Sequence, residues 1–182
     1  LYTQLHNVYS YNLVSNNHSK IAELNKVTFI CNTEKYVYAG SSEKIVKIDN
    51  VSLSVMEEIP AGANHCATIA AKAFLISGNN IKSINDNGEV FETTIENNAL
   101  DVTTSPSENS ILIIDDKGEL VKLASLDLSI IPHNFLLSKN ARSGEIFQDD
   151  SETLWIATSQ GVSTIVESPQ TQHKVILMCR TM

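Results

Sequence analysis

Two short sequence patterns recur together along this 182-residue chain at intervals of about 40 residues. The first is an apolar residue, any residue, a small residue or lysine, and a second apolar residue. It occurs at Val8–Tyr11, Ile45–Ile48, Ile81–Ile84, Leu120–Leu123 and Val162–Ile165, with starts 37, 36, 39 and 42 residues apart. The second pattern, a β-rich run ending in small or polar residues, precedes four of these copies, at Tyr36–Gly40, Phe74–Gly78, Ile111–Asp115 and Leu154–Thr158. Two patterns that share one period indicate structural repeats.

Each repeat divides into four short extended segments separated by turn-forming residues. In the clearest repeat these segments are Val27–Cys31, Tyr36–Ala39, Ile45–Ile48 and Val55–Ile59. Apolar residues alternate or form short runs, and no helical periodicity extends over 11 residues or more. Four antiparallel strands per roughly 40 residues is typical of a β-propeller blade. A β-sandwich is the main alternative, but it gives no reason for the repeat period.

The sequence therefore predicts an all-β fold, a partial β-propeller of about four and a half four-stranded antiparallel blades. The predicted domain covers residues 1–182, with a half blade at 1–25 and blades at about 26–62, 63–98, 99–139 and 140–182. The half blade is expected to begin in its third strand, near Val8. Closed propellers have about 4–8 blades, so we expect further blades outside this sequence, or a second chain, to cover the open ends. The start at Leu1 also predicts a piece of a longer protein.

Composition and charge exclude several classes of function. Apolar residues make up 42% and charged residues 19% of the chain, which favours a packed globular interior. A net charge of -8 without basic clusters disfavours a nucleic-acid partner. No apolar run reaches the roughly 18–20 residues of a membrane-spanning helix, so no span is predicted here.

Cysteine, histidine and acidic residues show no pattern typical of a metal or catalytic site. Cys31, Cys66 and Cys179 are widely spaced, and the first two lie in apolar segments, so buried free thiols are predicted. The five histidines have no paired spacing. Asp149–Glu152 and Asp115–Gly118 lack the alternating acidic spacing of a calcium loop, which predicts solvated turns. We predict no catalytic residue, metal or cofactor, and assign no ligand-binding residue.

Residues 137–162 carry the most specific motif in the chain. The stretch resembles the two-component regulator propeller repeat of bacterial sensor proteins, whose motif runs Leu-Ser-x-Asn, Ile-x-x-Asp and Leu-Trp-Ile-Gly-Thr-x-x-Gly-Leu. The matching residues are Leu137, Ser138, Asn140, Ile146, Asp149, Leu154, Trp155, Ile156, Thr158 and Gly161. Ala157 replaces the usual glycine and Val162 the last leucine, and the other repeats keep the spacing without the motif.

The structural motif of this repeat is Leu154, Trp155, Ile156, Thr158 and Gly161. Trp155 is the single tryptophan of the chain, and carbohydrate sites often contain aromatic platforms. Its apolar neighbours in the strand instead favour packing between blades, so we expect the indole to be buried.

The resemblance implies a non-catalytic, ligand-sensing segment of a hybrid histidine kinase type receptor, located in the periplasm. The full-length protein would then carry the kinase, and the ligand would be a small molecule such as an oligosaccharide from carbohydrate breakdown. A protein partner, including a second copy of the chain, fits the same architecture. The alternative is a protein-interaction propeller of a larger intracellular, cytoplasmic assembly. A propeller hydrolase or lyase is a third possibility, although no local catalytic motif supports it.

Overall fold

The computed structural model describes residues 1–4, 6–132, 144–149, 151, 153–158, 161–165 and 176–178. These residues form β-strands joined by turns and contain no helix, which confirms the predicted all-β class. The strands are β1 (Tyr2–Gln4), β2 (Asn7–Asn12), β3 (Asn17–Glu23), β4 (Phe29–Asn32), β5 (Tyr36–Gly40), β6 (Ile45–Asp49), β7 (Val55–Ile59), β8 (His65–Ile69), β9 (Lys72–Ser77), β10 (Asn80–Asn85), β11 (Val90–Thr94), β12 (Ala99–Ser105), β13 (Ser110–Asp115), β14 (Leu120–Ala124), β15 (Gly144–Gln148), β16 (Leu154–Thr158), β17 (Gly161–Ile165) and β18 (Ile176–Met178).

Strands that are consecutive in the chain pair with one another. They form the sheets β1–β3, β4–β7, β8–β11, β12–β14 and β15–β18. This succession of short meandering sheets is the arrangement of propeller blades, as the repeat period predicted. The first sheet includes β1, a strand that the sequence pattern did not predict. The fourth sheet has three strands, and only the bridge Leu123↔Ile130 extends it toward a fourth.

The chain forms two compact units. The first contains Leu1–Ser77 and Ile81–Glu92, and the second contains Gly78–Asn80 and Thr93–Met182. In the first unit, one apolar cluster joins the sheets β1–β3 and β4–β7 through residues such as Val8, Leu24 and Val37. A second cluster joins β4–β7 to β8–β11, with Tyr38 on one side and Leu75 on the other. Burying apolar side chains between successive sheets is the main source of stability in such an arrangement.

The second strands β9 and β13 are buried on both faces. In β9, residues 73–76 are at most 3% exposed, and all of β13 is buried. A strand with one face in water would alternate apolar and polar residues, but a strand covered on both faces need not. The unbroken apolar run Ile111–Ile114 in β13 therefore has the double coverage that the sequence predicted.

Cys31 and Cys66 form a disulfide between β4 and β8, so the prediction of free thiols at these two positions is wrong. The two Cα atoms are 6.1 Å apart, within the usual range for a disulfide. The residues lie on the first strands of two successive sheets and are separated by 35 positions, close to one repeat period. Cys179 lies outside the described residues.

In the second unit, the sheets β12–β14 and β15–β18 share an apolar cluster. It contains Leu112, Ile114 and Leu120 from the first of these sheets and Ile146, Leu154 and Ile156 from the second. A polar contact crosses the same boundary, because the Asp101 carboxylate accepts a hydrogen bond of 2.9 Å from the Ile146 amide. Packing and hydrogen bonding together align the first strands of the two sheets.

Asparagine and aspartate side chains stabilise several hairpin turns. The Asn85 Oδ1 atom accepts hydrogen bonds from the amides of Asn87 and Glu89, at 3.0 and 2.8 Å. Gly88 in the same turn has a φ of 87°, which glycine adopts without steric cost. The sequence predicted this turn from residues 85–88, and the structure confirms it.

Candidate functional site

Linkers between sheets and the hairpins that follow second strands lie at one end of their sheets. The register shows this, since the first residue of β4 pairs with the last residue of β5, Phe29 with Gly40. In the first unit, the linker 24–28 lies between two turns at this end, the β1–β2 turn at His6 and the β5–β6 hairpin at residues 41–44. The Leu24 amide donates to the His6 carbonyl at 2.7 Å, and the Thr28 amide donates to the Gly40 carbonyl at 2.8 Å.

This linker and its two turns surround an open depression with a volume of about 350 Å³, here called the polar depression. Its walls are mostly polar or charged side chains. They belong to His6, Glu23, Leu24, Asn25, Ser41, Glu43 and Lys44. Three separate chain segments therefore contribute to one concave surface, which is the usual way that loops on a rigid scaffold build a binding site.

Two hydrogen bonds fix the orientation of the polar groups in the depression. The His6 Nδ1 atom accepts from the Lys26 amide at 3.0 Å, so a neutral imidazole carries its hydrogen on Nε2 and can donate from there. The Asn25 side-chain amide donates to the Glu43 carboxylate at 3.2 Å. The depression thus presents oriented donors and acceptors, which suits a ligand rich in hydroxyl or amide groups.

Charge in and around the polar depression is partly compensated. The exposed Glu23 carboxylate pairs with Lys20, and this hydrogen bond lowers the pKa of Glu23. The Lys44 ammonium lies 3.1 Å from a Glu58 carboxylate oxygen. Because Glu43 adds a carboxylate to the wall, the local balance disfavours an anionic ligand.

Hydrogen bonds of Ser41 stabilise the hairpin 41–44. Ser41 is 1% exposed, and its hydroxyl oxygen accepts from the amides of Glu43 and Lys44, both at 3.2 Å. The Ala63 amide of the next linker donates to the Ser41 carbonyl at 2.9 Å. In the same linker, a Cβ at Gly62 would overlap the Ser42 carbonyl, so only glycine allows the linker to lie this close to the hairpin.

The second unit contains a depression of the same kind, with a volume of about 400 Å³, here called the acidic depression. It also lies between an inter-sheet linker and the hairpin after a second strand. Its lining combines three acidic side chains with apolar ones. The residues are Thr94, Ile95, Glu96, Asn97, Asp115, Glu119, Leu120, Val121, Ile130, Ile131 and Pro132.

Asp115 is buried at the base of the acidic depression, so the prediction of a solvated turn is wrong for this residue. It is 1% exposed, whereas the neighbouring Asp116 and Lys117 are exposed. One carboxylate oxygen accepts from the Asn97 side chain at 2.9 Å. The other accepts from the amides of Lys117 and Glu119, at 3.0 and 2.8 Å. Asp115 therefore ties the linker to the hairpin.

The predicted structural motif lies in the last sheet. Leu154 and Ile156 are 5% and 0% exposed and belong to the apolar cluster of the second unit. Thr158 pairs with Gly144 on one side and with Gly161 on the other. Gly161 has a φ of 129°, in the region that favours glycine. These residues support the sheet, and none of them lines either depression.

Trp155 is 39% exposed, so the prediction that its indole is buried is wrong. Its side chain points away from the face that Leu154 and Ile156 bury, because side chains alternate along a strand. The indole Nε1–H donates to the Asp149 carboxylate at 2.8 Å, and this bond is the main cause that lowers the pKa of Asp149. The Asp149 Oδ1 atom also accepts from the amides of Ser151 and Thr153 and begins the turn that the sequence predicted.

No metal-binding cluster of three or more His, Cys, Asp or Glu residues occurs in the part of the chain that the structure describes. Within the same residues, no helix is long and apolar enough to cross a membrane.

Sequence reasoning missed His6, Asn25 and Glu43 because no local motif marks them. The available signal was positional: each lies in a turn or linker at the same end of its sheet. Once the strands of a repeat are assigned, antiparallel pairing brings those connections together. The repeat therefore indicates the end of the sheets at which the polar depression lies, while the shape of the depression depends on contacts between loops.

No family model and no curated protein matches this sequence. Solved structures do match its fold. Two of them are crystal structures of an extracellular domain of BT4673 from B. thetaiotaomicron. This protein is proposed to be a hybrid two-component system in one case and a one-component system in the other. The TM-scores of the two structures are 0.68 and 0.67, respectively. They are 18% and 16% identical to this chain, and the alignments cover 88% and 91% of it.

A chain in the crystal structure of the Mitotic Checkpoint Complex has a TM-score of 0.68 and 10% identity, covering 87% of this chain and 54% of its own length. This chain spans only about a quarter of the two BT4673 domains, with 25% and 26% of their lengths covered. At such identities the similarity shows a shared fold, and propeller-type folds carry many different functions.

Proposed function

We propose that this chain is a non-catalytic, ligand-sensing part of a bacterial two-component signalling receptor. The observation that carries the proposal is the fold shared with the BT4673 extracellular domains over about nine-tenths of the chain. The residues Leu154, Trp155 and Ile156, which resemble the Leu-Trp-Ile of the regulator propeller repeat, lie together in β16 and are consistent with the proposal.

We further propose that the chain works outside the cytoplasm, in the periplasm. The Cys31–Cys66 disulfide supports this location, because such bonds persist in oxidising compartments and are rare in the cytosol. The bond lies between two sheets of the fold rather than in an exposed loop, which indicates a structural role.

The ligand we propose is a small, hydroxyl-rich molecule such as an oligosaccharide fragment, bound in the polar depression. His6, Asn25 and Glu43 offer donors and acceptors in fixed orientations there. Binding that favours one arrangement of the receptor over another would shift the kinase equilibrium by the difference in affinity. The chain itself then needs no catalytic group.

A thermal-shift screen with oligosaccharides of different composition tests this function. Binding to the folded state stabilises it by about 2.7 kcal/mol at a hundredfold excess over Kd. We expect Asn25→Ala and Glu43→Gln to abolish the shift, while Glu34→Gln, at an exposed position in the β4–β5 turn, leaves it unchanged. A screen without any shift, or a shift that both depression variants retain, would contradict the proposed site.

A protein-interaction propeller of an intracellular assembly is the second candidate, and the fold shared with a chain of the Mitotic Checkpoint Complex is the observation that favours it. The Cys31–Cys66 disulfide weighs against this candidate, because a reducing compartment would keep the two cysteines as free thiols. The redox state of the two cysteines in the native cell therefore distinguishes the candidates.

A further inference from the structure

The sheet β15–β18 has one buried and one open face among its described residues. Ile146, Leu154 and Ile156 lie on the buried face and are at most 5% exposed. Phe147, Trp155 and Val162 are 60%, 39% and 44% exposed. A contiguous patch of exposed apolar side chains is typical of an interaction surface, whereas single exposed apolar residues are common on any protein.

The strand register places these three residues on one surface, here called the aromatic face. Phe147 pairs directly with Trp155, and Ala157, two residues farther along the same strand, pairs with Val162. Residues that pair directly, or that are two apart in a strand, point to the same side of a sheet. The hydrogen bond from Trp155 to Asp149 gives the indole a defined orientation on this face.

Other sheets bury the residues at the matching position. Tyr38 and Phe74 are fully buried and Leu112 is 4% exposed, and each lies in the second strand of its sheet as Trp155 does. Tyr38 packs against the small or branched side chains of Ala73 and Leu75 on the facing sheet. At this interface an aromatic side chain therefore packs against smaller ones.

We infer that the aromatic face is a docking surface for a further four-stranded sheet of this repeat type. Its facing strand would carry small and branched aliphatic residues, as β9 does with Ala73 and Leu75. A second copy of the chain using the same face would instead place Phe147 and Trp155 against large aromatic side chains. Close packing favours large residues against small ones, so the sheet is the better fit.

The inference can be tested by appending residues 63–97, which contain β8–β11, after residue 182 through a flexible Gly/Ser linker. Trp155 is the single tryptophan, so its fluorescence reports on this surface alone. We expect a blue-shifted emission and weaker quenching by acrylamide than in the chain without the extension. A control extension with Ala73→Asp and Leu75→Asp in the appended copy only should give the emission and quenching of the unextended chain.

A second variant changes the aromatic face itself rather than the appended sheet. Phe147→Lys should remove the blue shift in the extended chain, yet leave the thermal midpoint of the unextended chain unchanged, because Phe147 is already exposed there. Identical emission and quenching with and without the extension would overturn the inference. So would a concentration-dependent dimer of the unextended chain that shields Trp155 and is broken by Phe147→Lys, since the occupant would then be a second copy.

Discussion

Trp155 and Ile156 are neighbours in β16 but point to opposite faces of their sheet. Replacing Ile156, which is 0% exposed, with alanine leaves a cavity in the apolar cluster and should cost about 2–5 kcal/mol. Trp155→Ala removes a side chain that is already 39% exposed and should cost about 2 kcal/mol or less. Urea unfolding of both variants measures the difference. A larger loss for Trp155→Ala would contradict the open face.

The carboxylate of Asp149 contributes stability that depends on pH. Its pKa in the folded state is lowered, first by the hydrogen bond from Trp155 and then by backbone amides. A lowered pKa stabilises the folded state above the unfolded-state value near 4, and this contribution is lost as pH falls through the folded-state pKa. Asp149→Asn should therefore be less stable than the parent chain at neutral pH, and the gap should narrow in acid.

Urea midpoints measured between about pH 7 and about pH 3 follow that gap. Asp116→Asn, in an exposed hairpin position, is the matched control for general charge effects. Trp155→Phe removes the indole donor and should reduce the pH dependence that Asp149 contributes. A gap that stays constant across the pH range would mean that Asp149 is not stabilised by its hydrogen bonds.

The Cys31–Cys66 disulfide joins β4 and β8, the first strands of two successive sheets, and it limits the conformational freedom of the unfolded chain. Closing a loop of 35 residues is worth about 4 kcal/mol in the chain-entropy model. Reduction should therefore lower the urea midpoint of the oxidised chain. The double variant Cys31→Ala/Cys66→Ala should start near the lower midpoint and no longer respond to reductant. A midpoint that reductant leaves unchanged in the parent chain would contradict a stabilising bond.

The strands themselves were predictable because their signal is local. Apolar alternation and the runs in second strands identified β5, β9, β13 and β16, and Asn85–Gly88 marked a tight turn. The disulfide depends on which sheets face each other, so three widely spaced cysteines in apolar segments gave the opposite prediction. The available signal was the spacing of 35 residues, close to one repeat period, which places Cys31 and Cys66 on the first strands of two successive sheets.

The errors at Trp155 and Asp115 have the same physical origin. Local sequence shows that β16 is apolar on both sides, but not whether a sheet covers each side. Likewise, an acidic turn is solvated by default, and Asp115 is buried only because Asn97 and two backbone amides satisfy its oxygens. The residues of the polar depression were missed because three loops define it and none of them carries a motif.

The 182 residues together carry a net charge of -8. Like charge repels the phosphate backbone of nucleic acids, and the polar depression adds Glu23 and Glu43 to that surface. A neutral, hydroxyl-rich ligand avoids this repulsion. The charge and the site geometry therefore favour the same class of ligand, in keeping with the proposed sensing function.

We expect the folded chain to be more stable in an oxidising compartment, where the Cys31–Cys66 disulfide forms, than in a reducing one. A domain is typically stable by only about 5–15 kcal/mol, so a disulfide worth about 4 kcal/mol is a large share. Expressed with an export signal, the chain should contain one thiol that reacts with maleimide after denaturation, and expressed in a reducing cytosol it should contain three. We expect the exported form to resist proteolysis longer. The Cys31→Ala/Cys66→Ala variant should show no difference between compartments, and equal resistance of the two parent forms would favour the intracellular scaffold.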